Sequence, residues 1–401
     1  MAEDDHLYFS ADEAAEHLGV SRTTLYAYVS RKGIRSEKAA NAKERRYWKA
    51  DVLAVRATKG ARGIRTTEAS GISAVSALTL ITPQGVFYRG RSAAELAEHA
   101  SLETVASLLW NADEAAAFTR RLPQLSSRFG KLASLFDSDS LADRASVLLP
   151  VLEADNPRSF DLSPPGMAIT GADLVRAVTA VLLRKTKVGA EPIHEQIGKA
   201  LGLSKEWTDI VRRILVLSAD HGFSPSAYAV RAAASVGVTP YRSVAAGLAL
   251  AAGRYSAFGR LDAMSRFIDE LTATADPQTI IVRRLREGEE LPGFGGSDVY
   301  AGEDPRAQTL LAQLDRMCAR DQAFRRLKTA IAAVGDIKGL KPDFALPAMF
   351  VNRRVGLNAQ DFLWLLGRTV GWVAHSIEQA ELGPQDRAPY TYIGELPGDK
   401  R

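Results

Sequence analysis

The sequence predicts a mainly α-helical protein in which a small helix-turn-helix unit precedes a larger helical body, two or three domains in all. Three observations carry this. Trp207, Ile210, Val211, Ile214, Leu215 and Leu217 recur at helical spacing, the signature of an amphipathic helix. Directly after them, Ser224-Pro225 and Thr239-Pro240 each read as an N-cap followed by proline at the first helical position, with Gly237 and Gly253 as the stops. And 401 residues, 46% of them hydrophobic, can bury a large core.

The first element is local. Ser10 caps a helix, Glu13 three residues on completes a capping box, Ala14, Ala15 and Leu18 face inward, and Gly19 ends it. Val20-Ser21 makes a turn, and a second helix from Arg22 to Ser30 carries Leu25, Tyr26 and Val29 as apolar residues. That is a helix-turn-helix. Its E-A-A-E-H-L-G-V-S-R-T-T-L-Y run resembles the winged-helix module of the MerR and excisionase type, with Arg45-Arg46-Tyr47 at the wing strand and Asp51-Val52-Leu53 opening a further helix. The resemblance implies a domain over residues 1–57. In it Arg22, Thr23, Thr24 and Tyr28 face a DNA groove, while Arg31, Lys32, Arg35, Lys43, Arg45 and Arg46 meet phosphates.

Charge supports this reading. Residues 1–20 hold six acids and no Lys or Arg, whereas residues 21–65 hold 13 Lys and Arg against three acids. The whole chain is only +4, so its basic charge is confined to the segment that carries the motif, the footprint expected of a nucleic-acid contact. Residues 58–67, rich in Arg, Lys, Gly and Thr without periodicity, read as a linker.

In the body, Val86–Tyr88 reads as a short strand and Ala93 onward as helix, and residues 111–200 as helices broken by prolines. His194 lies just inside a helix start and reads as structural. No uninterrupted apolar run reaches the ~18–20 residues of a membrane span, and the acidic start M-A-E-D-D-H is unlike a signal peptide, so a cytoplasmic protein without membrane contact is expected. The single Cys318 excludes a disulfide framework and a Cys-rich metal site and reads as a small buried hydrophobe. No metal and no tightly bound cofactor is expected.

The polar Asp220-His221 pair sits where two apolar helices meet, and each group left unpaired there would cost ~2–7 kcal/mol. The run A-D-H-G-F-S-P-S-A-Y from Ala219, followed by a Gly-terminated Ala-rich helix, resembles the citrate synthase family. Further matches extend that resemblance over most of residues 68–401: V-F-Y-R-G with Glu95, Leu96 and Trp110; L-P-G-F-G…D-P-R-A; L-K-P-D-F; the Arg368 helix; and D-R-A-P-Y-T-Y-I-G. It implies a large helical domain over 68–253 and 354–401 and a small one over 254–353. His221, Arg306, Arg368 and Arg387 would clamp the carboxylates of oxaloacetate or citrate, and Gly293, Phe294 and Gly295 would form a turn against acyl-CoA. Asp343 would be the base that removes a thioester α-proton. Arg387, reaching into a neighbouring site, implies a homodimer, or a mixed oligomer with an intact homologue.

Two positions depart from the family pattern. Ser256 stands where the family has a histidine, 35 residues after His221, and the second family histidine falls on Gly296 or Ser297, beside an apparent one-residue insertion. Each missing donor is worth typically ~10²–10³ in rate. A ligand-responsive DNA-binding protein with a silent carboxylate pocket is therefore expected. The alternative is a Claisen-condensing acyltransferase of altered chemistry, with acyl-CoA as co-substrate and Ser256 or Tyr255 steadying the enolate oxygen.

Overall fold

The computed structural model describes residues 8–32, 34–38, 45–49, 51–52, 75–295, 299–300 and 302–384. The chain forms two compact units, Met1–Ala69 and Ser70–Arg401.

In the first unit, Ser10 and Glu13 form the expected reciprocal capping box on α1 (Ala11–Leu18), and Gly19 ends it in the left-handed region at φ 59. The second helix, α2 (Arg22–Lys32), runs two residues past its expected end. Strands β1 (Tyr8–Phe9), β2 (Ser36–Lys38) and β3 (Arg45–Trp48) make a three-stranded antiparallel sheet in the order β1-β3-β2. Phe9, Ala14, Ala15, Leu18, Leu25, Ile34, Tyr47 and Val52 close a small core between helices and sheet. Tyr26, about 100° around α2 from the buried Leu25, is exposed.

The second unit is a helical body with one small sheet, β4 (Thr79–Thr82), β5 (Gly85–Tyr88) and β6 (Arg91–Ser92). Its first helices are α3 (Ala93–His99), α4 (Leu102–Trp110), α5 (Glu114–Ala117), α6 (Ser127–Leu135) and α7 (Leu141–Asp155). Then come α8 (Pro164–Leu182), α9 (Ile193–Ala200) and α10 (Lys205–Leu217). The two proline-led helices are α11 (Pro225–Ala234) and α12 (Pro240–Ala251), capped by Ser224 and Thr239 as their sequences dictate. They close three and two residues, respectively, before the glycines read as stops.

The remaining helices are α13 (Leu261–Ala273), α14 (Pro277–Arg286), α15 (Pro305–Cys318), α16 (Gln322–Lys338), α17 (Ala345–Arg354) and α18 (Leu363–Leu382). Helix α18 is buried along nearly its whole length and packs against α4, α8, α10, α11 and α12, which makes it the axis of the body. Cys318 is buried at the end of α15. One described helix, α8, has the length and mean hydropathy to cross a membrane, although Asp173 and Arg176 interrupt its apolar run; it is packed inside the core. Among the described residues, no group of three or more His, Cys, Asp and Glu side chains is placed to hold a metal ion.

Candidate functional site

Helix α10 ends at Leu217, and the next five residues form a bend that lies against α18. Asp220 is fully buried in that bend. Its Oδ2 accepts hydrogen bonds from Thr79 Oγ1 at 2.6 Å and from the Gly222 amide at 2.9 Å, while its Oδ1 lies 3.3 Å from His375 Nε2. The buried Tyr88 hydroxyl sits 3.1, 3.2 and 3.3 Å from the carbonyls of Val216, Leu217 and Asp220. Burial alone would raise the Asp220 pKa, but His375, Arg368 and Thr79 together hold it well below the usual carboxylate range.

The next residue is His221. Its Nε2 is 2.7 Å from Tyr300 Oη. Burial first, then the Arg306 and Arg368 charges, push its pKa down to about 2, so the ring is neutral. Burial pushes Tyr300 up to about 12 against the opposing Arg306 charge, so its hydroxyl keeps its proton. Arg368 projects from α18 and donates through Nε to the Ser218 carbonyl at 3.0 Å. Among the described residues no carboxylate lies within ion-pairing distance of Arg368, although it is nearly completely buried.

Arg306 is held differently. Asp304, the N-cap of α15, accepts from the Arg306 backbone amide at 3.0 Å, from Nε at 3.1 Å and from Nη2 at 2.8 Å. Only Nη1 is left without a hydrogen bond, and it is shielded from solvent while the guanidinium stacks over Phe344 and Trp364. The sequence alone suggested three equivalent arginines. The structure separates Arg306, already neutralised by Asp304, from Arg368, whose charge has no partner within ion-pairing distance. Arg387, Gly296 and Ser297 lie outside the described residues.

Asp304 also accepts from the Phe344 amide at 3.2 Å, which ties Arg306 to the segment carrying Asp343. Asp343 Oδ1 caps the start of α17, accepting from the amides of Ala345 at 2.9 Å and Leu346 at 3.3 Å. Its other oxygen accepts no hydrogen bond from a described residue, and burial raises the carboxyl pKa. A carboxylate so held is a stronger base than one in water. The Pro292–Gly295 turn is stitched to it: the Asp343 amide donates to the Gly293 carbonyl at 2.9 Å, and Phe294 pairs with Pro342. Gly293 has φ +84, and a Cβ there would meet Leu346 at 2.9 Å, so only glycine fits.

Ser256 caps a short 3-10 turn, Ala257–Arg260, its Oγ accepting from the Phe258 amide at 3.2 Å. The hydroxyl proton is not used in that bond. Phe258 packs against Trp364, and so does Phe344, so one indole joins the Ser256 loop to the Asp343 segment. No described hydrogen bond links Ser256 to His221 or Asp343. Tyr255 is 94% exposed under the Arg254 guanidinium.

In the helix-turn-helix unit, Arg22, Thr23 and Thr24 are exposed on α2, and Arg45 is exposed on β3. Several of the charges are engaged internally: Arg22 with Asp12 at 2.6 Å, Arg35 in a fork on Asp51, and Arg46 with Glu37 at 2.5 Å. Arg45 donates to Ser36 Oγ at 3.1 Å. Tyr28, Arg31 and Lys32 lie on α2, and Lys43 falls outside the described residues.

Residue types at helical spacing did not point to Tyr300, Asp304, Tyr88 or His375. Asp304 did carry a signal: D-P-R is an N-cap, a first-turn proline and an arginine one residue on. Tyr300 carried none that spacing could read, since its partner is 79 residues away.

Residues 64–387 match the family "Citrate synthase, C-terminal domain", and residues 8–59 match a helix-turn-helix domain family. "Putative citrate synthase 2" of Mycobacterium tuberculosis is 33% identical over 197 residues, 45% of this chain and 50% of that protein. The chain thus spans about half the length of the first curated relatives it matches. The 2-methylcitrate synthase of the same organism is 26% identical over 357 residues, 80% of this chain and 89% of that protein. Among solved structures, a ternary complex of citrate synthase from Thermoplasma acidophilum with carboxymethyl coenzyme A and oxaloacetate superposes with TM-score 0.66 at 18% identity, covering 86% of this chain and 98% of that one. Citrate synthase from Pyrobaculum aerophilum gives TM-score 0.68 at 19% identity, covering 82% and 91%. At these identities the structures speak to the fold alone.

Proposed function

The chain belongs to the citrate synthase family, and from that premise we propose that it is a carboxylate-binding regulator whose helix-turn-helix arm contacts DNA and whose ordinary citrate synthase turnover is lost. The observation that carries the reading is Arg368, a nearly buried guanidinium with no carboxylate in ion-pairing distance, beside a neutral His221. A buried cation of this kind is stabilised by an anion, and a bidentate carboxylate is the matching shape. His221 and Arg368 come from the segments proposed as the large domain, 68–253 and 354–401. Arg306 and Asp343 come from the proposed small domain, 254–353. Oxaloacetate or citrate would therefore lie between the two. Arg387 would complete the clamp, from a second copy or from an intact homologue.

The loss of turnover rests on sequence: Ser256 cannot act as a proton donor near neutral pH as an imidazolium does, and neither Gly296 nor Ser297 supplies one. Calorimetry on the full chain should show citrate or oxaloacetate binding. Thiol release from acetyl-CoA with oxaloacetate should stay at background. If no di- or tricarboxylate binds, the reading fails.

A second reading is supported by Asp343. Its raised pKa, free second oxygen and tie to the Gly293–Gly295 turn are what enolisation of an acyl-CoA requires. In that case the Ser256 hydroxyl donates to the enolate oxygen and the protein is an acyl-CoA-dependent condensing transferase. Robust thiol release with acetyl-CoA or propionyl-CoA would select it.

A further inference from the structure

One face of α18 carries Gly367, Arg368, Gly371 and His375, spaced so that they line a single groove over two turns. The bend after α10 lies in that groove residue by residue. Arg368 Nε donates to the Ser218 carbonyl at 3.0 Å, the Gly371 amide donates to the Ala219 carbonyl at 2.9 Å, and His375 Nε2 faces Asp220 Oδ1 at 3.3 Å. The fit leaves no room: a Cβ on Gly367 would meet Ser218 Oγ at 2.1 Å, and one on Gly371 would meet the Ala219 carbonyl at 2.3 Å and Asp220 Oδ1 at 2.5 Å. Asp220 is the fixed point of the bend. Two groups hydrogen-bond its Oδ2, Thr79 from β4 and the Gly222 amide from the bend itself, while His375 Nε2 from α18 stands 3.3 Å from its Oδ1 without hydrogen-bond geometry. His221 is the very next residue, and among the described residues its ring hydrogen-bonds Tyr300 rather than α18.

The geometry points to Asp220 and His375 as positioning residues, which hold His221 and the Ser218 carbonyl so that His221 and Arg368 present one carboxylate subsite. This rests on the carboxylate-binding reading given above. Neither residue touches the ligand. Asp220 is buried behind His221, and His375 is buried behind Asp220, with its ring edge against Phe223. A packing role alone would explain burial. It would not explain a carboxylate fixed inside the core and facing the Arg368 charge, where an apolar residue of similar volume costs less.

The test uses the full chain with labelled histidine, of which there are only six, so the His221 ring signal can be assigned by its loss in His221→Gln. His375→Leu removes the contact to Asp220, His375→Gln keeps an N–H donor, and Thr79→Val removes the hydrogen bond on the far oxygen. In the ligand-free protein, His375→Leu and Thr79→Val should both shift the His221 ring signals, and His375→Gln should return them toward those of the unmodified chain. Citrate affinity should fall about tenfold or more in His375→Leu, as His221 and Arg368 lose their alignment, and recover in His375→Gln. Unmoved His221 signals in folded His375→Leu or Thr79→Val overturn the inference, as does a His375→Gln protein no better than His375→Leu. If His375→Leu fails to fold, Thr79→Val decides. Failure of the unmodified chain to bind citrate removes the carboxylate reading, while the ring-signal comparison still judges the positioning.

Discussion

Tyr300 Oη and His221 Nε2 are 2.7 Å apart, a hydrogen bond that spans 79 residues of sequence and occupies one of the two nitrogens of the site histidine. The low proton affinity of His221 does not come from this bond. It comes from burial, with the two guanidinium charges adding to it. Tyr300→Phe should therefore leave the ring neutral across pH 5–8, while Arg368→Leu should raise its pKa. Titration of the His221 signal by NMR checks both, and a tyrosine variant that protonates near pH 6.5 would reverse the assignment.

Arg368→Leu should also abolish carboxylate binding, because each charge-assisted hydrogen bond lost is worth ~1.5–3 kcal/mol. The same change should lower the melting temperature of the ligand-free protein only slightly, since no described carboxylate lies within ion-pairing distance of the charge it removes. Calorimetry and a thermal melt on one preparation read both outcomes. A lost fold would assign Arg368 to structure instead.

Asp304→Ala should behave in the opposite way. It leaves Arg306 buried without its carboxylate and removes the cap of α15 and the bond to Phe344. Breaking such a pair from one side costs ~3–5 kcal/mol. Urea denaturation monitored by circular dichroism should show it, and a change under 1 kcal/mol would contradict the role of Asp304 as the joint between Arg306 and Asp343.

Stability should fall on the acid side through His221. Its folded pKa of about 2 lies below the unfolded value near 6.5, so below pH ~6.5 the unfolded chain takes up a proton that the folded chain refuses. That contributes a loss of ~1.4 kcal/mol per pH unit from this group alone. Asp343 acts with the other sign. Its carboxyl is raised on folding, so its destabilising contribution is relieved as pH falls through its folded pKa. His221→Gln should flatten the decline between pH 6 and 5, measured by urea midpoint at each pH.

DNA affinity of the full chain should fade with salt through counterion release. Arg45→Ala, which sacrifices only a hydrogen bond to Ser36, should flatten the salt slope by about one unit without unfolding the unit. Arg35→Ala should instead destabilise it, because Arg35 forks onto Asp51 and its charge is spent there. Equal salt slopes for Arg45→Ala and the unmodified chain would recast the basic segment as a protein contact.

The elements that were legible in sequence are those set by near neighbours. Ser10 with Glu13, Ser224 with Pro225 and Thr239 with Pro240 each fix a helix start within four residues, and all three stand in the structure. The site was legible only as residue types. The D-P-R run puts a carboxylate two residues before Arg306, a local signal of its counter-charge, whereas the surroundings of Arg368 depend on packing. The basic segment shows the same effect: its net charge is plain in sequence, but Asp12, Asp51 and Glu37 neutralise Arg22, Arg35 and Arg46 only once the chain has folded.

The carboxylate site proposed at Arg368 also bears on how long each molecule lasts. A protein whose core is completed by a metabolite unfolds less often when that metabolite is plentiful, by ~2.7 kcal/mol at a hundredfold excess over Kd. Proteases act on the transiently opened form, so survival would track the ligand as well as occupancy does. A shortage of the proposed carboxylate would then both empty the site and, more slowly, thin the population.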